Sequence, residues 1–66
     1  MLSARNQFKG RVKSVKLGGI MAEVVVTVGT LEFVSAITRT SVEHLGLKVG
    51  DKVTAIIKST EVIIDK

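Results

Sequence analysis

The sequence predicts an all-β domain with one short helix. Three observations carry that expectation: apolar residues recur at every second position, β-branched side chains fill the runs, and glycines punctuate them. The 66 residues make one domain, residues 1–66, with no linker and no internal repeat.

From Phe8 to Leu17 the apolar positions are Phe8 and Val12, then shift phase to Val15 and Leu17. Such a shift predicts a bulge or strong coil, by which a strand bends round a small barrel. Gly18-Gly19 closes the segment as a turn. Met21 to Val28 places Ala22, Val24, Val26 and Val28 on one face, and Gly29-Thr30 reads as a tight hairpin. In Leu31 to Thr38, Leu31, Phe33, Ser35 and Ile37 oppose Glu32, Val34, Ala36 and Thr38. Both faces are partly apolar, so this strand is expected to be covered on both sides.

Thr40-Ser41-Val42-Glu43 matches a capping box, with Thr40 as cap and Glu43 reaching back. Leu45 is the expected apolar contact, and Gly46 the left-handed stop. Val49-Gly50-Asp51-Lys52 is turn chemistry leading into Val53, Ala55 and Ile57 on one strand face. Ser59-Thr60 breaks that run, and Glu61 to Ile64 is expected as a last short strand. The order β-β-β-α-β-β is that of a five-stranded, OB-fold-like barrel, the oligonucleotide/oligosaccharide-binding type.

Composition removes several classes of function. Cysteine is absent, which excludes a disulfide scaffold and a thiolate zinc site. No apolar run reaches the ~20 residues of a membrane span. The opening Met1–Arg5 lacks the apolar stretch of a signal peptide. A soluble cytoplasmic protein with no membrane partner is therefore expected. A domain of this length buries only ~60% of its unfolded surface. Because 45% of the residues are hydrophobic, an oligomer is expected to bury the surplus. The net charge of +4 points to an anionic partner, leaving nucleic acid, an acidic protein, a small oxyanion and a plain solvated face open.

Catalysis is not expected. His44 is the sole histidine and reads as a solvent-facing helix residue. Glu23, Glu32, Glu43, Asp51, Glu61 and Asp65 are scattered, with no acid/base couple or metal cluster. Gly18-Gly19 lacks the Lys-Ser/Thr of a phosphate loop. The expectation is no enzyme, no catalytic cofactor, and no metal held directly by side chains.

Three polar groups sit where strands begin or end: Ser3-Ala4-Arg5-Asn6-Gln7, Thr38 with Ser41, and Lys58-Ser59. Each alone has a structural explanation; Ser41 can help the helix start, and Lys58 can be a solvated strand end. Together they offer two cations, several hydroxyls and a helix start, donors that suit a tetrahedral oxyanion. None of these groups is a base for a ligand proton, so a fully ionised dianion is favoured over hydrogen phosphate.

Ser3-Ala4-Arg5-Asn6-Gln7 followed by Gly10 resembles the opening of the molbindin (Mop) family of small molybdate-binding proteins. The resemblance continues through Ala22-Glu23-Val24, Ile37-Thr38 with Ser41, and Leu45-Gly46-Leu47. It ends with Val49-Gly50 and Ile57-Lys58-Ser59-Thr60-Glu61-Val62, so it covers nearly the whole chain. It implies the same Mop/TOBE-type barrel in a homo-oligomer, a hexamer built as a trimer of dimers, with molybdate or tungstate held between subunits. By matching motif, Ser3, the Ala4 backbone N–H and Arg5 come from one subunit, and Thr38, Ser41, Lys58 and Ser59 from its neighbour. The implied role is intracellular molybdenum storage or homeostasis. Members also carry a second class of oxyanion site near the threefold axis, to which no residue here is assigned. The Gly29-Thr30 connection is shorter than in many members.

Two other functions compete. A nucleic-acid-binding barrel suits the fold and charge, but Phe8 and Phe33 are the only aromatics and both read as core, leaving no base-stacking platform. A purely structural oligomerisation module is the other.

Overall fold

The computed structural model describes residues 5–66. Four strands form one antiparallel sheet: β1 (Asn6–Leu17), β2 (Met21–Val28), β3 (Leu31–Thr38) and β4 (Lys52–Ile57). The helix α1 (Arg39–Leu45) lies between β3 and β4 in the chain, and the sheet order is β3-β2-β1-β4.

β1 belongs to both halves of the sheet. Asn6 to Arg11 pair with β4, Arg11 to Leu17 pair with β2, and Arg11 takes part in both ladders. Register shifts between Val12 and Ser14, so Lys13 is the bulged residue that the phase change predicted. Val12 stands at this bend and is 2% exposed. Its backbone N–H donates to Asp51 O (3.0 Å), and its carbonyl accepts from Gly50 N (2.8 Å). The core gathers round it from Ala22, Val24 and Val26 of β2 and Val42 of α1. The alternation expected of β2 is thus the observed one. Phe8 and Phe33 are half-buried rather than fully enclosed and stack on each other at 5.1 Å.

The β2–β3 hairpin closes through Gly29-Thr30, with Val28 paired to Leu31 and Gly29 at φ 60°. β3 then runs straight into the helix. The cap is Thr38, two residues earlier than the expected Thr40: its Oγ1 accepts the Ser41 backbone N–H at 3.1 Å. Glu43 does not reach back to a cap; it lies 3.7 Å from the Arg39 guanidinium, one helical turn away. Helical rotation buries Val42, whereas Leu45, the expected contact, is 68% exposed. Gly46 ends the helix in the left-handed conformation as expected, and Leu47 N donates to Val42 O.

Two further expectations need correction. Glu61–Ile64 is not a strand: Ser59–Glu61 form a 3-10 turn, and Ile63 and Ile64 stand 91% and 85% exposed. Glu61 N–H donates to Lys58 O and Val62 N–H to Ser59 O, so these donors are spent locally rather than on a neighbouring strand. The described residues therefore form four strands rather than five. β3 and β4 remain free edges, and the sheet is not closed into a barrel. Second, the outer face of β3 is uncovered in this chain, with Val34 68% exposed. Between the two edges lies an apolar groove of about 290 Å³, lined by Phe33, Ser35, Ile37, Val53, Ala55 and Ile57 among others.

Candidate functional site

The β1–β4 ladder positions the two cations. Asn6 pairs with Ile57 in its last row, which leaves Arg5 and Lys58 as the residues just beyond that row, with Ser59 beginning the 3-10 turn immediately after. All three are exposed, and neither Arg5 nor Lys58 has an ion-pair partner among the described residues. Like charges facing each other across an antiparallel ladder cost stability unless an anion sits between them. Ser3 and Ala4 lie outside the described residues.

The hydroxyls are positioned by the strand-to-helix junction. Thr38 Oγ1 and Ser41 Oγ are 2.7 Å apart, and Thr38 Oγ1 also accepts the Ser41 N–H. One hydroxyl hydrogen is spent between the two oxygens, and the other is left to donate outward. Thr38 pairs with Met21, where β2 begins just after β1 has ended. The hydroxyl pair therefore belongs to the far end of β1 from Arg5 in the sheet register. Among the described residues no hydrogen bond or ion pair joins the two groups. The structure thus joins Thr38 to Ser41 by hydrogen bonds and places Arg5 and Lys58 just beyond the last row of the β1–β4 ladder.

One positioning residue escaped notice in the sequence. Arg39 N donates to Ile20 O (2.8 Å), and its guanidinium donates from Nη1 to Gly18 O (3.2 Å), while Nε faces Glu43. It thereby fastens the β1–β2 turn to the start of α1, where Thr38 and Ser41 sit. The four-residue Arg39–Glu43 spacing was its available signal.

Other chemistry is absent from the described residues. His44 is exposed, as expected, and no group of three His, Cys, Asp or Glu is placed to hold a metal ion. No helix is long and apolar enough to cross a membrane. With the two phenylalanines stacked on each other, the outer sheet surface offers no aromatic platform for bases.

Residues 2–64 match the TOBE domain model. The chain belongs to the TOBE family. Among TOBE relatives, molybdenum-pterin-binding protein 1 of Clostridium pasteurianum is 52% identical over 64 residues, spanning 96% of this chain and 94% of that one. A molybdate-binding protein from Sporomusa ovata has a TM-score of 0.96 at 42% identity, covering 100% of this chain and 98% of its own. The cytoplasmic molybdate-binding protein ModG, solved with molybdate bound, has a TM-score of 0.91 at 41% identity. That match covers 96% of this chain and 45% of ModG. The TOBE chain shares the OB-like, mostly β architecture of these molbindins, with one short helix. It stands with binding proteins and not with enzymes, since the relatives matched along nearly their whole length are named for what they bind.

Proposed function

We propose that this protein binds molybdate or tungstate without transforming it, at sites shared between copies of the chain, for cytoplasmic storage or homeostasis of molybdenum. The observation that supports this reading is the end of the β1–β4 ladder, where Arg5 and Lys58 flank the Asn6–Ile57 row and neither has an ion-pair partner among the described residues. A dianion at that end of the ladder accepts charge-assisted bonds from Arg5 of one copy and Lys58 of another and relieves the repulsion between them. Ser3, the Ala4 backbone N–H and Arg5 come from one copy, and Thr38, Ser41, Lys58 and Ser59 from neighbouring copies. An isologous contact at the Arg5 end sets each Arg5 near its partner's Lys58, since a two-fold axis repeats every contact in reverse. The Sporomusa ovata relative is a molybdate-binding protein and ModG was solved with molybdate bound, which supports the choice of anion.

Assembly follows from the same surfaces. Each chain carries an unfilled apolar groove between two free edges, together with an exposed apolar segment, Val62 to Ile64. The segment of one copy lies in the groove of another and supplies the fifth strand that closes the barrel. Dimers so formed associate by threes into a hexamer.

Calorimetry against molybdate, tungstate and sulfate, with sedimentation of the same samples, tests this function. Micromolar or tighter binding of molybdate by a hexamer is expected, and binding that is no stronger than for sulfate, or a monomer, overturns it. A chain that assembles but binds none of the three is an oligomerisation module instead. Mixing Arg5→Ala with Lys58→Ala chains tests the sharing. Mixed oligomers, confirmed by mass spectrometry, should regain sites that pair an intact Arg5 with an intact Lys58. No gain over either variant alone rules out the shared site.

A further inference from the structure

The outward positions of the β1–β4 ladder continue the charge of the candidate site. Arg5, Gln7, Lys9 and Arg11 alternate on one side, and Lys52, Thr54, Ile56 and Lys58 on the other. The outward positions of these two strands carry five cations and no acid, and the Arg11–Lys52 row runs on through Thr27 to Glu32 of β3. In register, Lys9 opposes Thr54 and Arg11 opposes Lys52, a second like-charge row. Arg11 Nη1 donates to Gly50 O at 3.1 Å, and an open depression of about 430 Å³ lies over Lys9, Arg11, Lys52 and Thr54.

The carboxylates are engaged elsewhere. Glu32 pairs with Lys13, Glu43 with Arg39, and Asp51 Oδ2 accepts the Lys48 backbone N–H at 2.9 Å. Glu23 opposes Lys16 in register, at the other end of β1. Glu61 and Asp65 follow the ladder and make no ion pair among the described residues. Lys9 and Lys52 likewise have no ion-pair partner among the described residues.

We infer that this face is an electrostatic approach surface, on which Lys9, Arg11 and Lys52 raise the rate at which the oxyanion reaches Arg5 and Lys58. The inference rests on the function proposed above. At ~3.4 Å per residue, Lys9 stands ~14 Å along the strand from Arg5, and the Arg11–Lys52 row ~20 Å. Both are too far for a direct bond. Both lie within the ~30 Å screening length of 0.01 M salt and far outside the ~3 Å of 1 M salt. Their influence is therefore a rate effect that salt removes.

The test compares Lys9→Gln/Lys52→Gln with Lys16→Gln/Lys48→Gln, which loses the same net charge from other surfaces. Calorimetry gives the molybdate Kd at 0.01 M and 1 M NaCl. A chase of bound molybdate with excess tungstate, followed by native mass spectrometry, gives the dissociation rate. At 0.01 M salt the first variant should show association slowed by about tenfold, the low end of known steering effects. Its dissociation rate should equal that of the unsubstituted protein, and the difference should vanish at 1 M. Equal slowing in the control variant overturns the inference, because net charge and not placement then governs capture. A loss that persists at 1 M, or faster dissociation, overturns it too, because Lys9 or Lys52 is then a direct ligand. If the unsubstituted protein takes up no molybdate, the proposed function itself falls.

Discussion

Gly10→Ala is the substitution whose cost the structure sets most directly. Gly10 lies where β1 turns from β4 toward β2. A Cβ built there collides with the Thr27 carbonyl oxygen and stands 3.0 Å from the Thr27 carbonyl carbon and 2.8 Å from Val28 Cγ2. The main obstacle is the backbone of a paired strand, so no rotamer change relieves it. Overpacking typically costs about 1–3 kcal/mol, and a backbone clash belongs at the upper end. Reduced freedom of the unfolded chain returns about 0.4–1 kcal/mol. The net loss is about 2 kcal/mol, and at 4–8 °C per kcal/mol for a small domain, Tm falls by about 8–16 °C. Gly19→Ala is the matched comparison: its Cβ meets nothing within 4 Å and its φ is not positive, so stability is kept or slightly raised. Circular dichroism melts at one fixed protein concentration measure both, since an oligomer's Tm depends on concentration. A Gly10→Ala Tm within about 2 °C of the parent, or an equal fall for Gly19→Ala, refutes the close-approach argument.

Three further outcomes are expected. Thr38→Val removes the oxygen that accepts Ser41 N–H and should cost about 1 kcal/mol in thermal melts, whereas Thr38→Ser retains most of it. Val24→Ala deletes two methyl groups from a side chain that is 3% exposed, and chemical denaturation should show a loss of about 2 kcal/mol. Arg5→Ala or Lys58→Ala should each weaken molybdate binding by about 1.5–3 kcal/mol in calorimetry. Lys13→Ala and Lys16→Ala, on exposed strand surface away from the site, should leave it near the parent value.

The parts of the fold legible in the sequence were those governed by local chemistry. The phase change after Val12 gave the Lys13 bulge, the valine alternation gave the buried face of β2, and Gly46 gave the helix stop. The helix start was legible only in kind. Thr38 and Thr40 are both capable caps, and what separates them is where β3 stops pairing, a property of the sheet. The motif around Gly10 was visible, but its reason was not, because the carbonyl it must clear belongs to Thr27, seventeen residues on. The candidate site was legible as three separate polar groups. That Arg5 and Lys58 come to the same end of the ladder follows from the β1–β4 register, which no local pattern encodes.

Two of the corrected expectations share one physical sign. β3 was expected to be covered on both faces, and Glu61–Ile64 to be a strand, because their apolar residues call for burial. Periodicity reports that need but says nothing about which surface meets it. In the isolated chain Val34, Ile63 and Ile64 remain in water while a groove of about 290 Å³ stands open beside them. Apolar area left in water forfeits ~25 cal/mol for each Å² that a partner could cover. The assembly proposed above would cover such side chains and such a groove together and recover that area. In the proposed assembly the same pairing would bring an Arg5 of one copy toward a Lys58 of another, so loss of the Val62–Ile64 segment should cost molybdate binding as well as assembly. Val62→Ser/Ile63→Ser/Ile64→Ser chains that still sediment as hexamers, with unchanged molybdate affinity, would separate the tail from both.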